Sequence, residues 1–139
     1  MKKFIITIVC MLFCAPLLSA QTLLSPNGNL KLSFQLSEKG TPTYALTFKD
    51  KTVISESALG FVINQKEDFN SNFEITEVQF AEANTVWQPV LGENKEIRDH
   101  HKEMFVRLTQ KNNGRQLYLR FWLFDDGLGF RYEFPVQDN

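Results

Sequence analysis

The sequence predicts an all-β fold, a sandwich or barrel of antiparallel strands. Three observations carry that reading. Apolar residues recur with a two-residue period from residue 21 onward. Turn-forming steps such as Asn27-Gly28, Asn113-Gly114 and Asp126-Gly127 separate the runs, at intervals of roughly 8 to 12 residues in places. No window carries a sustained 3.6-residue apolar stripe, and no internal repeat or low-complexity tract interrupts the pattern.

Taken in order, Thr22 to Leu24 opens a hairpin closed by Asn27-Gly28, whose residues tolerate the positive φ of a tight turn. The return strand alternates Leu30, Leu32, Phe34 and Leu36 with Lys31, Ser33 and Gln35, placing the apolar set on one face. Tyr44, Leu46 and Phe48 repeat the alternation, and Lys49-Asp50-Lys51 turns the chain toward Val53 and Ile54. Leu59, Phe61 and Ile63 follow, and the polar, acidic stretch from Asn64 to Asn72 reads as a loop leading to Phe73, Ile75 and Val78. Met104, Val106 and Leu108 form a strand that Lys111-Asn112-Asn113-Gly114 ends. From Gln116 to Phe124 both faces are apolar, interrupted by Arg120, which predicts a central strand covered on two sides. Asp125-Asp126-Gly127 turns it into Phe130, Tyr132 and Phe134, and Pro135 ends the run.

Residues 1 to 20 read as an export signal: Lys2 and Lys3, an apolar run from Phe4 to Leu18, then Ser19 and Ala20. The run is too short for a spanning helix, which takes about 20 apolar residues, so no membrane association is expected after its removal. Cys10 and Cys14 both lie inside it, which leaves residues 21–139 without a disulfide or a thiolate metal site. Removing Lys2 and Lys3 from the 15 basic residues leaves 13 against 16 acidic ones, a net charge of −3. Interspersed charge of that sign argues against a nucleic-acid partner. Eleven of the 13 phenylalanines remain after the signal, enough aromatic surface for a core.

One segment, Trp87 to Glu103, departs from alternation and concentrates side chains capable of recognition. Trp87 can stack on a sugar face while Glu93, Arg98, His100 and Glu103 hydrogen-bond hydroxyls or a neighbouring domain. The same residues also read as a polar loop whose ions pair with one another, with Trp87 buried beside Pro89. Zinc at His100, His101 and Glu103 is disfavoured, because adjacent strand residues point to opposite faces. Asp125-Asp126-Gly127 lacks a calcium-loop pattern and reads as a turn. No pair of acids stands out as the facing carboxylates of a glycosidase, and no nucleophile elbow or phosphate cradle is present.

A resemblance extends the reading. Its anchors are Leu24-Ser25-Pro26-Asn27-Gly28-Asn29-Leu30, Gly40-Thr41-Pro42-Thr43-Tyr44, Trp87-Gln88-Pro89-Val90 with Gly92-Glu93, Ile97-Arg98-Asp99-His100 with Glu103, and the run from Phe124 to Pro135. In that order they resemble the start of glycoside hydrolase family 97, the α-glucosidases and α-galactosidases of Bacteroides-type polysaccharide use. The pattern departs at Leu91, where the family has tryptophan, and at Asp99-His100-His101-Lys102-Glu103, where it has Asn-His-Tyr-Asn-Glu.

The resemblance implies a periplasmic, exo-acting enzyme with an N-terminal β-supersandwich, a central (β/α)₈ barrel and a C-terminal β domain. The barrel supplies the catalytic carboxylates, and calcium sits in the active site with a glutamate ligand that falls beyond Asn139. This chain is then expected to be part of the N-terminal domain, with no catalytic or metal-ligating residue and no cofactor of its own. Its role is to support the barrel and shape the pocket for an oligosaccharide. Trp87, Glu93, Arg98, His100 and Glu103 are the candidate substrate-rim or domain-interface contacts. A second reading is a free-standing periplasmic carbohydrate-binding sandwich using Trp87, Trp122 or Tyr44 as stacking platforms. A third is a secreted β protein that binds a protein partner through a strand edge.

Overall fold

The computed structural model describes residues 20–64 and 67–137. The first 19 residues, and with them nearly all of the expected export signal, lie outside the described residues. Among the described residues there are ten strands: β1 (Gln21–Leu24), β2 (Leu30–Leu36), β3 (Pro42–Phe48), β4 (Lys51–Ala58), β5 (Phe61–Asn64), β6 (Glu67–Phe69), β7 (Phe73–Trp87), β8 (Ile97–Gln110), β9 (Gln116–Leu123) and β10 (Leu128–Glu133). They form two four-stranded sheets, ordered β1-β2-β3-β4 and β10-β9-β8-β7, and a short β5-β6 ribbon. Every pairing is antiparallel.

The sheets pack face to face as a sandwich, because the alternating apolar sets point at each other. Leu23, Leu30, Leu32, Phe34 and Leu46 come from the first sheet, and Met104, Val106, Leu108, Leu117, Leu119, Phe121 and Leu123 from the second. Phe34 meets Phe121 across the gap with ring centroids 5.7 Å apart. Leu59, Phe69 and Phe73 close the core beside the ribbon.

The turns form where the sequence places them. Gly28 has φ 75° and donates to the Ser25 carbonyl, and Gly114 donates back to Gln110. Lys49 and Asp50 both take positive φ, 46° and 64°, so a two-residue turn joins Phe48 to its partner Lys51. That conformation matches the strand twist and explains why a Lys-Asp step serves where Asn-Gly is commoner.

Hydrogen bonds stitch the sandwich at both ends. At one, Asn72 donates to Lys39 carbonyl, Phe73 to Gly40 and Lys111 to Asn72. At the other, the Asn27 amide donates to Asp125 Oδ1 at 2.8 Å, tying the β1–β2 turn to the β9–β10 turn. Buried Gln110 donates to the Asp68 and Ser71 carbonyls and accepts from Asn113, satisfying the backbone of the stretch between β6 and β7.

Three expectations change. The stretch read as one loop from Asn64 to Asn72 contains β6, because Phe69 is drawn into the core against Phe73 and pairs with Phe61. Residues 97–103 are the first half of β8 rather than a loop, held by continuous pairing with β7. The second face of β9 is covered by long side chains of neighbouring strands: Arg107 lies over Tyr118 and Arg131 over Trp122.

Candidate functional site

Strands β7 and β8 outrun the rest of their sheet. β9 pairs with β8 only from Lys102 to Thr109, whereas β7 and β8 stay paired as far as Trp87 and Ile97. Residues 83–101 are therefore a two-stranded arm that leaves the sandwich beside the β9–β10 turn. Its root is held on the face turned away from the core. There His101 lies against the Phe124 ring at 5.0 Å and its Nδ1 hydrogen-bonds Asp99.

The tip is open to solvent and carries exposed apolar side chains among polar ones. Trp87 is 51% exposed, and Val90 and Leu91 are almost wholly so. The turn between the strands surrounds a hollow of about 380 Å³ lined by Gln88, Pro89, Val90, Leu91, Asn94 and Lys95. Trp87 is thus not packed away beside Pro89. Its strand partner is Ile97, which leaves the indole accessible.

The five candidate residues occupy three places. Trp87 ends β7, and Glu93 sits exposed in the tip turn. Arg98 and His100 share the other face of the arm, where Arg98 Nε donates to Asn84 Oδ1 at 3.0 Å and His100 Nε2 contacts Glu82 at 3.1 Å. These diagonal pairs brace the two strands. The two histidines point to opposite faces, as strand geometry requires. Glu103 shares the face of Trp87 but stands six residues further along β8 than Ile97, about 20 Å away at the rise of a strand.

Glu103 belongs instead to a polar and aromatic cluster on the outer face of the second sheet. It accepts from Arg120 Nη1 and from Trp122 Nε1, the latter at 2.8 Å. Arg120 also donates through Nε to Glu133 at 2.8 Å, and Arg131 donates to Glu133 at 2.7 Å. The guanidinium of Arg120 lies over Phe105 at 4.9 Å, and that of Arg131 over Trp122 at 5.0 Å. Hydrogen bonding from Arg120, and secondarily from Arg131, holds the Glu133 carboxyl below its ordinary pKa against the opposing effect of burial. The same bond to Glu133 raises Arg120.

A carboxyl that serves as a proton donor needs its pKa raised. Glu133 is moved the other way, as the hydrogen-bond acceptor of two guanidinium groups. The cluster escaped the sequence reading. The signal for it was Arg120 inside an apolar strand, facing Arg131 and Glu133 in an alternating one.

The geometry also separates the three proposed stacking platforms. Tyr44 faces inward against Phe130 at 5.8 Å, and Trp122 has its N–H engaged and one ring face covered by Arg131. Trp87 alone of the three is an exposed residue. Among the described residues, no group of three or more His, Cys, Asp and Glu side chains is gathered to hold a metal. Asp125 Oδ1 is occupied in the turn contact, accepting from the Asn27 amide. No helix among the described residues is long and apolar enough to cross a membrane.

Residues 23–139 match the family described as glycosyl-hydrolase 97 N-terminal. The chain is 43% identical to a glycoside hydrolase family 97 enzyme from Pseudoalteromonas sp. whose structure is solved in complex with panose. It superposes with a TM-score of 0.79 over 85% of this chain and 18% of the other. The acarbose complex of a family 97 enzyme from the same source gives the same values. A β-arabinopyranosidase structure shares the fold at a TM-score of 0.76 and 24% identity. Among curated proteins, the retaining α-galactosidase of Bacteroides thetaiotaomicron is 23% identical over 95% of this chain and 19% of its own length. The chain thus spans about a fifth of the length of these relatives.

Proposed function

Since the chain belongs to the glycosyl-hydrolase 97 N-terminal family, we propose that it is the N-terminal segment of an exo-acting α-glycosidase, an α-glucosidase or α-galactosidase cleaving α-glycosidic bonds of oligosaccharides. The match across residues 23–139 carries this reading. Catalytic carboxylates and calcium then belong to the remainder of the polypeptide. The segment acts by position: the sandwich braces the catalytic domain and the β7–β8 arm reaches its pocket rim. The exposed Trp87 and the exposed Val90 and Leu91 of the same tip support that role, since indoles stack on sugar faces and anchor interfaces. The basic, apolar and small-residue order of the first 20 residues supports export to the periplasm.

The test is hydrolysis of α-glucosides and α-galactosides by the polypeptide read through beyond residue 139. Activity is expected there, and Trp87→Ala is expected to raise KM for an oligosaccharide roughly tenfold without shifting the melting temperature, in line with loss of one desolvated aromatic anchor. If residues 21–139 alone bind oligosaccharide saturably in calorimetry, the free-standing carbohydrate-binding reading replaces this one.

A further inference from the structure

Strand β1 starts at Gln21 and has only four residues. Gln21 pairs with Phe34 and Leu23 with Leu32, so Gln21 and Leu23 share the core-side face of the strand. Phe34 and Leu32 are fully buried, and Leu23 belongs to the core. Gln21 is itself half-buried, between exposed Ala20 and exposed Thr22. The chain therefore passes from Ala20 into the sandwich without a spacer, and Leu23 is already a core residue.

Cleavage after Ala20, which the export reading calls for, makes Gln21 the first residue. A primary α-amine there has two costs. Protonated, it sets a charge at the rim of the apolar core, close to Phe34. It is also a handle for aminopeptidases, and loss of Gln21 and Thr22 would leave Leu23 as the terminus.

We propose that Gln21 is a modification site, closing to pyroglutamate once residues 1–20 are removed; the proposal rests on the export reading. Glutamine at a terminus carries both reactants. The unprotonated α-amine nitrogen attacks the side-chain amide carbon Cδ and forms an N–Cδ bond, which closes a five-membered lactam. The Cδ–Nε2 bond breaks, and the departing nitrogen takes the proton that the amine gives up and leaves as ammonia. No oxidant, reductant or cofactor is consumed. An α-amine titrates at about pH 8, so a share of it is nucleophilic at neutral pH. The lactam is uncharged and is no longer a primary amine, which removes both costs at the point where β1 enters the sandwich.

Mass spectrometry of the N-terminal peptide tests it, on the polypeptide read through beyond residue 139, produced in a Gram-negative host with residues 1–20 in place and purified from whole cells. An uncyclised synthetic peptide taken through the same digestion measures closure during handling. The expected peptide begins at residue 21, is lighter than its sequence mass by one ammonia and takes no α-amine label, and pyroglutamyl peptidase treatment exposes a labelled amine on Thr22. Gln21→Asn, whose shorter side chain cannot close an unstrained ring, is expected to take the label. A peptide that begins at Gln21 with its full mass, or closure no greater than that of the synthetic peptide, overturns the pyroglutamate and leaves the export reading standing. A peptide that begins at Met1 or at any other residue overturns the export reading and this proposal with it.

Discussion

Arg120 shows why one charge inside an apolar strand need not be a fault. Its guanidinium lies over Phe105, and two carboxylates accept its N–H hydrogen bonds, so the cost of leaving water is offset by charge-assisted bonds. The sequence exposed the residue but not its partners, because Glu103, Glu133 and Arg131 meet it only through strand register. Glu133 then has a readable pH signature. Its folded pKa is lowered, so its contribution to stability is present above the ordinary glutamate value of about 4.3 and disappears as pH falls through the lowered one. Denaturant midpoints should place Glu133→Gln about 1 kcal/mol below wild type at neutral pH, with the gap closing below pH ~4. A gap that widens in acid would sink this account.

The strands that bury a face were legible as elements, and the arm was not. Leu30 to Leu36 and Gln116 to Phe124 alternate because a core lies under them. Beyond Phe80, β7 reads Ala81-Glu82-Ala83-Asn84-Thr85, and the facing half of β8 reads Arg98 to Glu103. No core lies beneath either, so no apolar period marks them as strands. Their pairing follows from the strands they prolong, which is why a recognition segment was visible and its geometry was not. The connections carry their own test. Gly40 has φ +69°, and a Cβ there would stand 2.6 Å from the backbone N and O of Phe73. Thermal or denaturant unfolding of Gly40→Ala should show a loss of about 3 kcal/mol. Gly28→Ala, with similar φ and open space around it, should lose only about 1 kcal/mol, the backbone strain alone.

At the scale of the molecule, the two sheets form one core. Phe121 is fully buried, touches Phe34 of the opposite sheet and lies 5.9 Å from Phe130. Phe121→Ala should therefore lower stability by about 3–5 kcal/mol in a single cooperative transition seen alike by fluorescence and circular dichroism. Separate transitions for the two sheets would contradict a shared core. The clamped root of the arm has a mechanical consequence. With Asp125 fastened to Asn27 and Phe124 against His101, bending starts beyond that point, and the four residue pairs from there out to Trp87 make a cantilever about 13 Å long. A tilt of roughly 5° at the clamp moves its end by ~1.1 Å, about a third of a strand rise. Small strains in the sandwich thus arrive at Trp87 as displacements large enough to alter a stacking contact.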